Sequence, residues 1–251
     1  MRHSLVTPLV AVAHGSKDPR AAATVESLLS LVRRRTAAPV LTSYLDHAPP
    51  TPVRVLDGLA ASGAAAAVVL PLLLTAAYHS KIDIPGVLSE VRTLHPRLDL
   101  RTASTLGPHP LLLAALERRL TASGVRIGDP STAVVLVSAG SSDPGANATI
   151  DALARDWADR RGWWAVRPAY ASAAAPTPYE AVSALYEAGA PRVVVASYFL
   201  APGYFADKVR TESLAAGAAA VSPVLGACPE LATIIMERYT EALRPRLAAV
   251  G

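Results

Sequence analysis

The sequence predicts an α/β protein built from two tandem modules, each a four-stranded, mainly parallel sheet with helices on both faces. Three observations lead there. The segment LVAVAHGSKDPR at 9–20 returns as VVLVSAGSSDPG at 134–145, so one device is used twice. Short apolar runs alternate with helical stretches along the whole chain, the pattern of strand–helix–strand units with parallel pairing. The runs are apolar at consecutive positions (AAAVVLPLLL at 65–74), as strands covered on both faces are.

In the first half, strands are expected at 8–13, 39–45, 65–74 and 98–103. Helices follow at 19–35, 51–61, 83–94 and 110–123. Asp18 suits the cap of the first helix, with Pro19 at the first helical position where its missing N–H is not needed. Asp83 or a near neighbour is expected to cap the third. The second half repeats the order, with strands at 133–137, 165–171, 192–200 and 219–223 and helices at 144–160, 178–188, 207–216 and 229–247. The expected division is 1–125 and 126–251, joined through 124–130. Offsets between the halves support it. His14-Gly15-Ser16 meets Ala139-Gly140-Ser141 at 125, Pro50-Thr51-Pro52 meets Pro176-Thr177-Pro178 at 126, and Ala77-Tyr78-His79 meets Gly203-Tyr204-Phe205 at 126. Leu106-Gly107-Pro108 meets Leu225-Gly226-Ala227 at 119.

Composition narrows the function classes. The single cysteine, Cys228, excludes an intrachain disulfide framework and a four-thiolate cluster supplied by one chain. A net charge of +4 is modest, and no basic-aromatic stripe accompanies it, so no nucleic-acid partner is expected. The uncharged stretch 58–78 has the length of a membrane span but contains Gly63 and Pro71, and its counterpart is cut by Pro191-Arg192. It reads as a helix end, a turn and a buried strand. No membrane partner is expected, and the expected location is the cytoplasm.

In a parallel sheet with helices on both faces, ligands bind beyond the carboxyl ends of the strands. His14, Asp46 and His79 each follow such an end. Two imidazoles and a carboxylate suit a divalent first-row metal, and neutral histidine also accepts protons near neutral pH. The second half puts Ala139, Ser172 and Phe205 at these positions while keeping the residues around them, so the fold does not require the polar side chains. The difference reads as one working site and one retired copy. Neighbours on an extended segment point to opposite faces, so one of Asp46 and His47 is expected to face the site; Asp46 is the favoured one, with His47 a weak substitute ligand. Lys17, Arg20 and Lys81 flank the site and would attract an anionic ligand. His109 suits the start of a helix, and His3 and His95 suit surface positions. The Gly15-Ser16 turn into a helix start could hold a phosphate, but HGSKDP is neither a P-loop nor GxGxxG.

These motifs resemble the CbiX/SirB class of sirohydrochlorin chelatases. The carriers of the resemblance are Ala13-His14-Gly15-Ser16 with Asp18-Pro19, Tyr44-Leu45-Asp46, and Tyr78-His79-Ser80-Lys81-Ile82-Asp83-Ile84-Pro85. It covers essentially the whole chain, since longer members are fused pairs of modules. It implies a type II chelatase that inserts a divalent metal into a tetrapyrrole without ATP. Ferrous iron, giving siroheme, is the first expectation and cobalt the second; the metal is substrate, and no permanently bound cofactor is implied. By the resemblance His14 is metal ligand and proton acceptor, His79 the second ligand, and Asp46 stands in the family's glutamate position. Leu74, Thr75, Ala76, Ala77 and Tyr78 would line the macrocycle, with Ser16, Asp46 and Lys81 also meeting substrate. A monomer or a homodimer fits a fused chain. A non-catalytic metal or tetrapyrrole carrier is the alternative from another class.

Overall fold

A computed structural model of the chain describes residues 6–75 and 82–244. Its elements follow the order β1 (Leu9–Ala13), α1 (Pro19–Arg33), β2 (Val40–Tyr44), α2 (Pro52–Ala61), β3 (Ala66–Pro71), α3 (Ile84–Leu94), β4 (Asp99–Thr102) and α4 (Pro110–Ala122). The second half gives β5 (Thr132–Ser138), α5 (Pro144–Arg160), β6 (Ala165–Tyr170), α6 (Pro178–Glu187), β7 (Arg192–Ser197), α7 (Tyr204–Ala215), β8 (Ala220–Val221) and α8 (Pro229–Leu243). The strands form two sheets, ordered β2-β1-β3-β4 and β6-β5-β7-β8, and every pairing is parallel. The predicted fold class holds.

Capping follows the sequence. Asp18 accepts from the Arg20 N–H at 2.9 Å and Asp143 from the Gly145 N–H at 2.9 Å, each ahead of a proline in the first turn. Thr51 and Thr177 do the same for α2 and α6. His109 caps α4, its Nδ1 accepting from Leu111 N–H at 3.2 Å, and its Nε2 lies 2.9 Å from Glu237 on α8. Asp83 is already helical, and its side chain does not cap α3.

The ends of three strands depart from expectation. β3 stops at Pro71, β7 at Ser197, and β8 is two residues long, where the sequence suggested 74, 200 and a strand over 219–223. Residues 72–75 and 198–203 are therefore loop. Period-two alternation sorts the strands onto two faces. Leu9, Ala11 and Ala13 of β1 and Val134 and Leu136 of β5 face a common core, while Val10 and Val12 face an outer layer with Leu56, Ile84 and Leu88. Residues of α1, α4, α5 and α8 fill the common core between the sheets; Val182, Leu185 and Val209 of α6 and α7 cover the outside of the second sheet.

The two sequence halves interlock. α8, last in the chain, packs on α1, α4, β3 and β4 of the first half, and α4 reaches β7 of the second. Side chains fasten the exchange: the Arg119 guanidinium donates to the Leu225 carbonyl, the Arg101 guanidinium to Leu243 O at 3.1 Å, and the Tyr239 hydroxyl to the Thr7 carbonyl. Burial of this interface holds the carboxyl ends of both sheets around one opening. Cys228 is buried in the common core, where burial pushes its thiol pKa up and leaves it unreactive.

Candidate active site

A cleft of about 1060 Å³ opens between the carboxyl ends of the two sheets and is lined by both halves. Pockets for small ligands span about 300–1,000 Å³, so this one suits a broad ligand. Its walls are built by two versions of one loop. In the first half, Leu45 N–H donates to Ala13 O at 3.0 Å and Asp46 N–H to His14 O at 2.9 Å, so the parallel ladder runs on past the strands. Gly15 lies beneath this crossing at φ +95°, where a Cβ would sit 1.8 Å from the Asp46 carbonyl oxygen; only glycine fits. The Ser16 hydroxyl then accepts from Asp18 N–H at 3.1 Å. The second half repeats each step. Ala171 and Ser172 donate to Ser138 and Ala139 at 2.9 Å, a Cβ on Gly140 would sit 1.9 Å from Ser172 O, and Ser141 Oγ accepts from Asp143 N–H at 3.0 Å.

Into this shared frame the halves place different side chains. His14 lines the cleft from the end of β1, half-buried, with Nδ1 3.1 Å from its neighbour's carbonyl, Gly15 O. A carbonyl only accepts, so this contact favours the tautomer with the proton on Nδ1. Asp46 does not line the cleft. Its carboxylate is exposed and turned back on its own loop, Oδ1 accepting from His47 N–H at 2.7 Å and Oδ2 lying 3.4 Å from His47 Nε2. His47 takes the cleft position instead, its ring centroid 6.3 Å from that of His14. Only one of the two neighbours faces the cleft, as alternation requires, but it is His47 and not the favoured Asp46: His47 is in the left-handed region, φ 63°, which turns the chain after β2.

Leu74 and Thr75 line the cleft as expected, and Leu74 O accepts from the buried Tyr198 hydroxyl across the halves at 3.2 Å. Ser16 lines it too. Ala76, Ala77, Tyr78, His79 and Lys81, all expected at the site, lie outside the described residues. Among the described residues no three histidine, cysteine or carboxylate side chains are gathered to hold a metal ion. Lys17 lies on the rim, whereas Arg20 is committed to ion pairs with Asp18 and with Asp207 of α7, which ties the two halves at the cleft mouth. The Arg20 guanidinium holds the Asp18 carboxyl below the usual carboxylate range. The rim is thus less basic than its sequence suggested.

The second half presents Ala139, Ser172 and Phe205 to the cleft, the counterparts of His14, Asp46 and His79. Phe205 is one of an exposed aromatic pair with Tyr204, ring centroids 5.5 Å apart and planes at 65°. Tyr204 is 76% exposed and Phe205 40%, so the pair presents ring surface to solvent at the cleft. Sequence comparison of the halves matched Tyr204 to Tyr78 and so passed it over as framework; the run Tyr204-Phe205 after a glycine was the available signal. Hydroxyls of Ser138, Ser141, Ser142 and Ser172 and the Asn147 amide complete this wall.

A family model for CbiX matches the chain twice, over residues 8–123 and 133–242. The chain belongs to the CbiX family. The two matched stretches correspond to the two sheets with their helices. A sirohydrochlorin cobaltochelatase of Priestia megaterium is 30% identical over 245 residues, covering 92% of this chain and 78% of that protein. A sirohydrochlorin ferrochelatase of the same organism is 25% identical, covering 80% and 76%. SirB from Bacillus subtilis, solved with Fe3+, superposes with a TM-score of 0.84 at 24% identity over 94% of this chain and 95% of that one, a match of fold.

Proposed function

We propose that this CbiX-family chain is a sirohydrochlorin chelatase, inserting a divalent first-row metal into the macrocycle without ATP. The observation that carries the reading is the asymmetry of a single cleft: imidazoles on one wall and an aromatic, hydroxyl-rich surface on the other. A flat polycarboxylate macrocycle needs both. Its ring lies against the Tyr204–Phe205 pair, one ring meeting it by its face and the other, inclined at 65°, by its edge. Its carboxylates accept hydrogen bonds from the Ser141 and Ser142 hydroxyls and meet Lys17 at the rim.

His14 then has two tasks. Its Nε2 lone pair holds the incoming metal over the exposed face of the ring. As pyrrole nitrogens replace protein ligands on the metal, the two pyrrole N–H protons must leave, and an imidazole released from the metal accepts one of them. The other passes to solvent or a second histidine. His79 is proposed as a further metal ligand on the family resemblance alone. Ser16 supports the reaction by holding the His14 loop, since its hydroxyl is engaged with Asp18 N–H.

One observation favours cobalt over the ferrous iron expected from the sequence. The 30% identical relative, which covers more of this chain than the ferrochelatases, is a cobaltochelatase. Iron, with siroheme as product, is the second reading and is supported by the two ferrochelatase relatives. The test is anaerobic metal insertion into sirohydrochlorin, followed by absorbance, with Co2+, Fe2+ and Ni2+ in turn. The expected result is insertion well above the spontaneous rate, fastest with Co2+ and lost in His14→Ala. Tight tetrapyrrole binding with no rate above background would make the chain a carrier.

A further inference from the structure

We infer that His47, rather than the Asp46 carboxylate, is the metal-holding group supplied by the loop between β2 and α2, and that Asp46 acts through it as a positioning residue. The inference rests on the proposal that His14 holds the metal. It assigns the third position of the site to a residue next to the one the family pattern points to.

Four observations support it. His47 lines the cleft and Asp46 does not. The His14 and His47 ring centroids are 6.3 Å apart. Two imidazoles binding one ion at about 2.0–2.1 Å bring their centroids to roughly 5–6 Å, a closure of about 1 Å that side-chain rotation supplies. An oxygen lies near one nitrogen of each ring: Gly15 O is 3.1 Å from His14 Nδ1, and Asp46 Oδ2 is 3.4 Å from His47 Nε2, an ion-pair distance without a formed hydrogen bond. Metal-binding histidines are held by a carboxylate or carbonyl at the nitrogen that does not bind the ion, and a small rotation of the exposed Asp46 carboxylate would bring Oδ2 into hydrogen-bond range of His47 Nε2. His47 would therefore bind through Nδ1 with Asp46 behind it.

The fourth observation is a control inside the molecule. Ala173 occupies the place of His47 in the second half, at φ 57° against 63°. Two non-glycine residues share the same rare left-handed conformation at the same point of the same loop. The conformation therefore belongs to the loop, and the imidazole is not there to stabilise it. What the first half adds is a histidine aimed at the cleft with a carboxylate beside it, where the second half has Ala173 and Ser172.

The same control makes the test clean, because the loop already accepts alanine at this position in the second half. The probe is Co2+ alone, titrated into the full-length protein by calorimetry and by its visible absorption, for wild type, His14→Ala, His47→Ala, Asp46→Asn and the Asp46→Asn/His47→Ala double variant. Removing a partner behind a ligand costs about 10–100-fold in metal affinity. The expected result is a loss of at least that size in His47→Ala, about tenfold in Asp46→Asn, and no further loss when Asp46→Asn is added to His47→Ala. Pulsed EPR of the Cu2+-loaded protein should count one imidazole fewer in His47→Ala. Wild-type affinity in His47→Ala, or an undiminished effect of Asp46→Asn in the double variant, would overturn the assignment while leaving His14 as a ligand. Wild-type affinity in His14→Ala would instead remove the reading of the site on which it rests.

Discussion

The loop after β1 and the loop after β5 follow one path through the same hydrogen bonds. Gly15 and Gly140 both pass under a carbonyl oxygen where a Cβ would come within 2 Å, and Ser16 and Ser141 both accept from an aspartate N–H that starts the next helix. Yet the first loop carries His14 and leads to His47, and the second carries Ala139 and leads to Ala173. Within one molecule this separates what the fold needs from what the chemistry needs. Residues identical in both loops hold backbone, while His14 and Ala139, which differ, line the cleft. The interlocked α4 and α8 keep the two walls of the cleft facing each other.

The largest effect should come from the shared frame. Gly15→Ala and Gly140→Ala should each destabilise the protein by about 3 kcal/mol or more, since an added methyl must displace a carbonyl on a neighbouring strand end. Urea unfolding checks this, and the comparison breaks if one loop tolerates alanine and the other does not.

A smaller effect is expected on the second wall. Tyr204→Ala combined with Phe205→Ala should raise KM for sirohydrochlorin roughly tenfold with kcat nearly unchanged, as lost stacking of about 1–2 kcal/mol implies. Tyr204→Phe should keep wild-type KM. A fall in kcat with KM intact would place the aromatic pair in the chemistry and not in binding.

The smallest concerns helix starts. Thr177 and Glu180 form a reciprocal cap on α6, whereas Thr51 on α2 has Arg54 in the matching place. Hydrogen bonds from Thr177 hold the Glu180 carboxyl below its ordinary value. A lowered folded pKa gives stability that is present above the unfolded value, near 4.5, and is lost as pH falls through the folded one. Glu180→Gln should therefore lower Tm slightly at pH 7, with the difference from wild type closing below about pH 4. Thermal unfolding at pH 7 and pH 3 measures it.

Much of this was legible in the residues. The alternation of elements, the internal repeat and His14 at the end of β1 follow from apolar periodicity and from one motif stated twice. Helix starts were legible because Asp-Pro and Thr-Pro pairs carry their own cap. Three features were not. The exchange of α4 and α8 depends on which apolar face meets which sheet, and an apolar face does not name its partner. The inward turn of His47 comes from a left-handed backbone at a non-glycine residue, which side-chain chemistry alone does not announce. Tyr204 was hidden by its match to Tyr78, because identity between repeats reads as framework even where the ring is exposed to a cleft. Strand ends were overestimated at 72–74 and 198–200, where apolar residues leave the sheet to line the opening.

The most direct measurement of the asymmetry is a paired one: steady-state insertion of Co2+ into sirohydrochlorin by His14→Ala and by Ala139→Leu, with binding of the metal-free macrocycle measured alongside. The account predicts that His14→Ala loses kcat and still binds the macrocycle, while Ala139→Leu raises KM and weakens macrocycle binding with kcat largely kept. Equal loss of kcat in both variants, or turnover undisturbed in His14→Ala, would contradict a first half that holds the metal and a second that seats the ring.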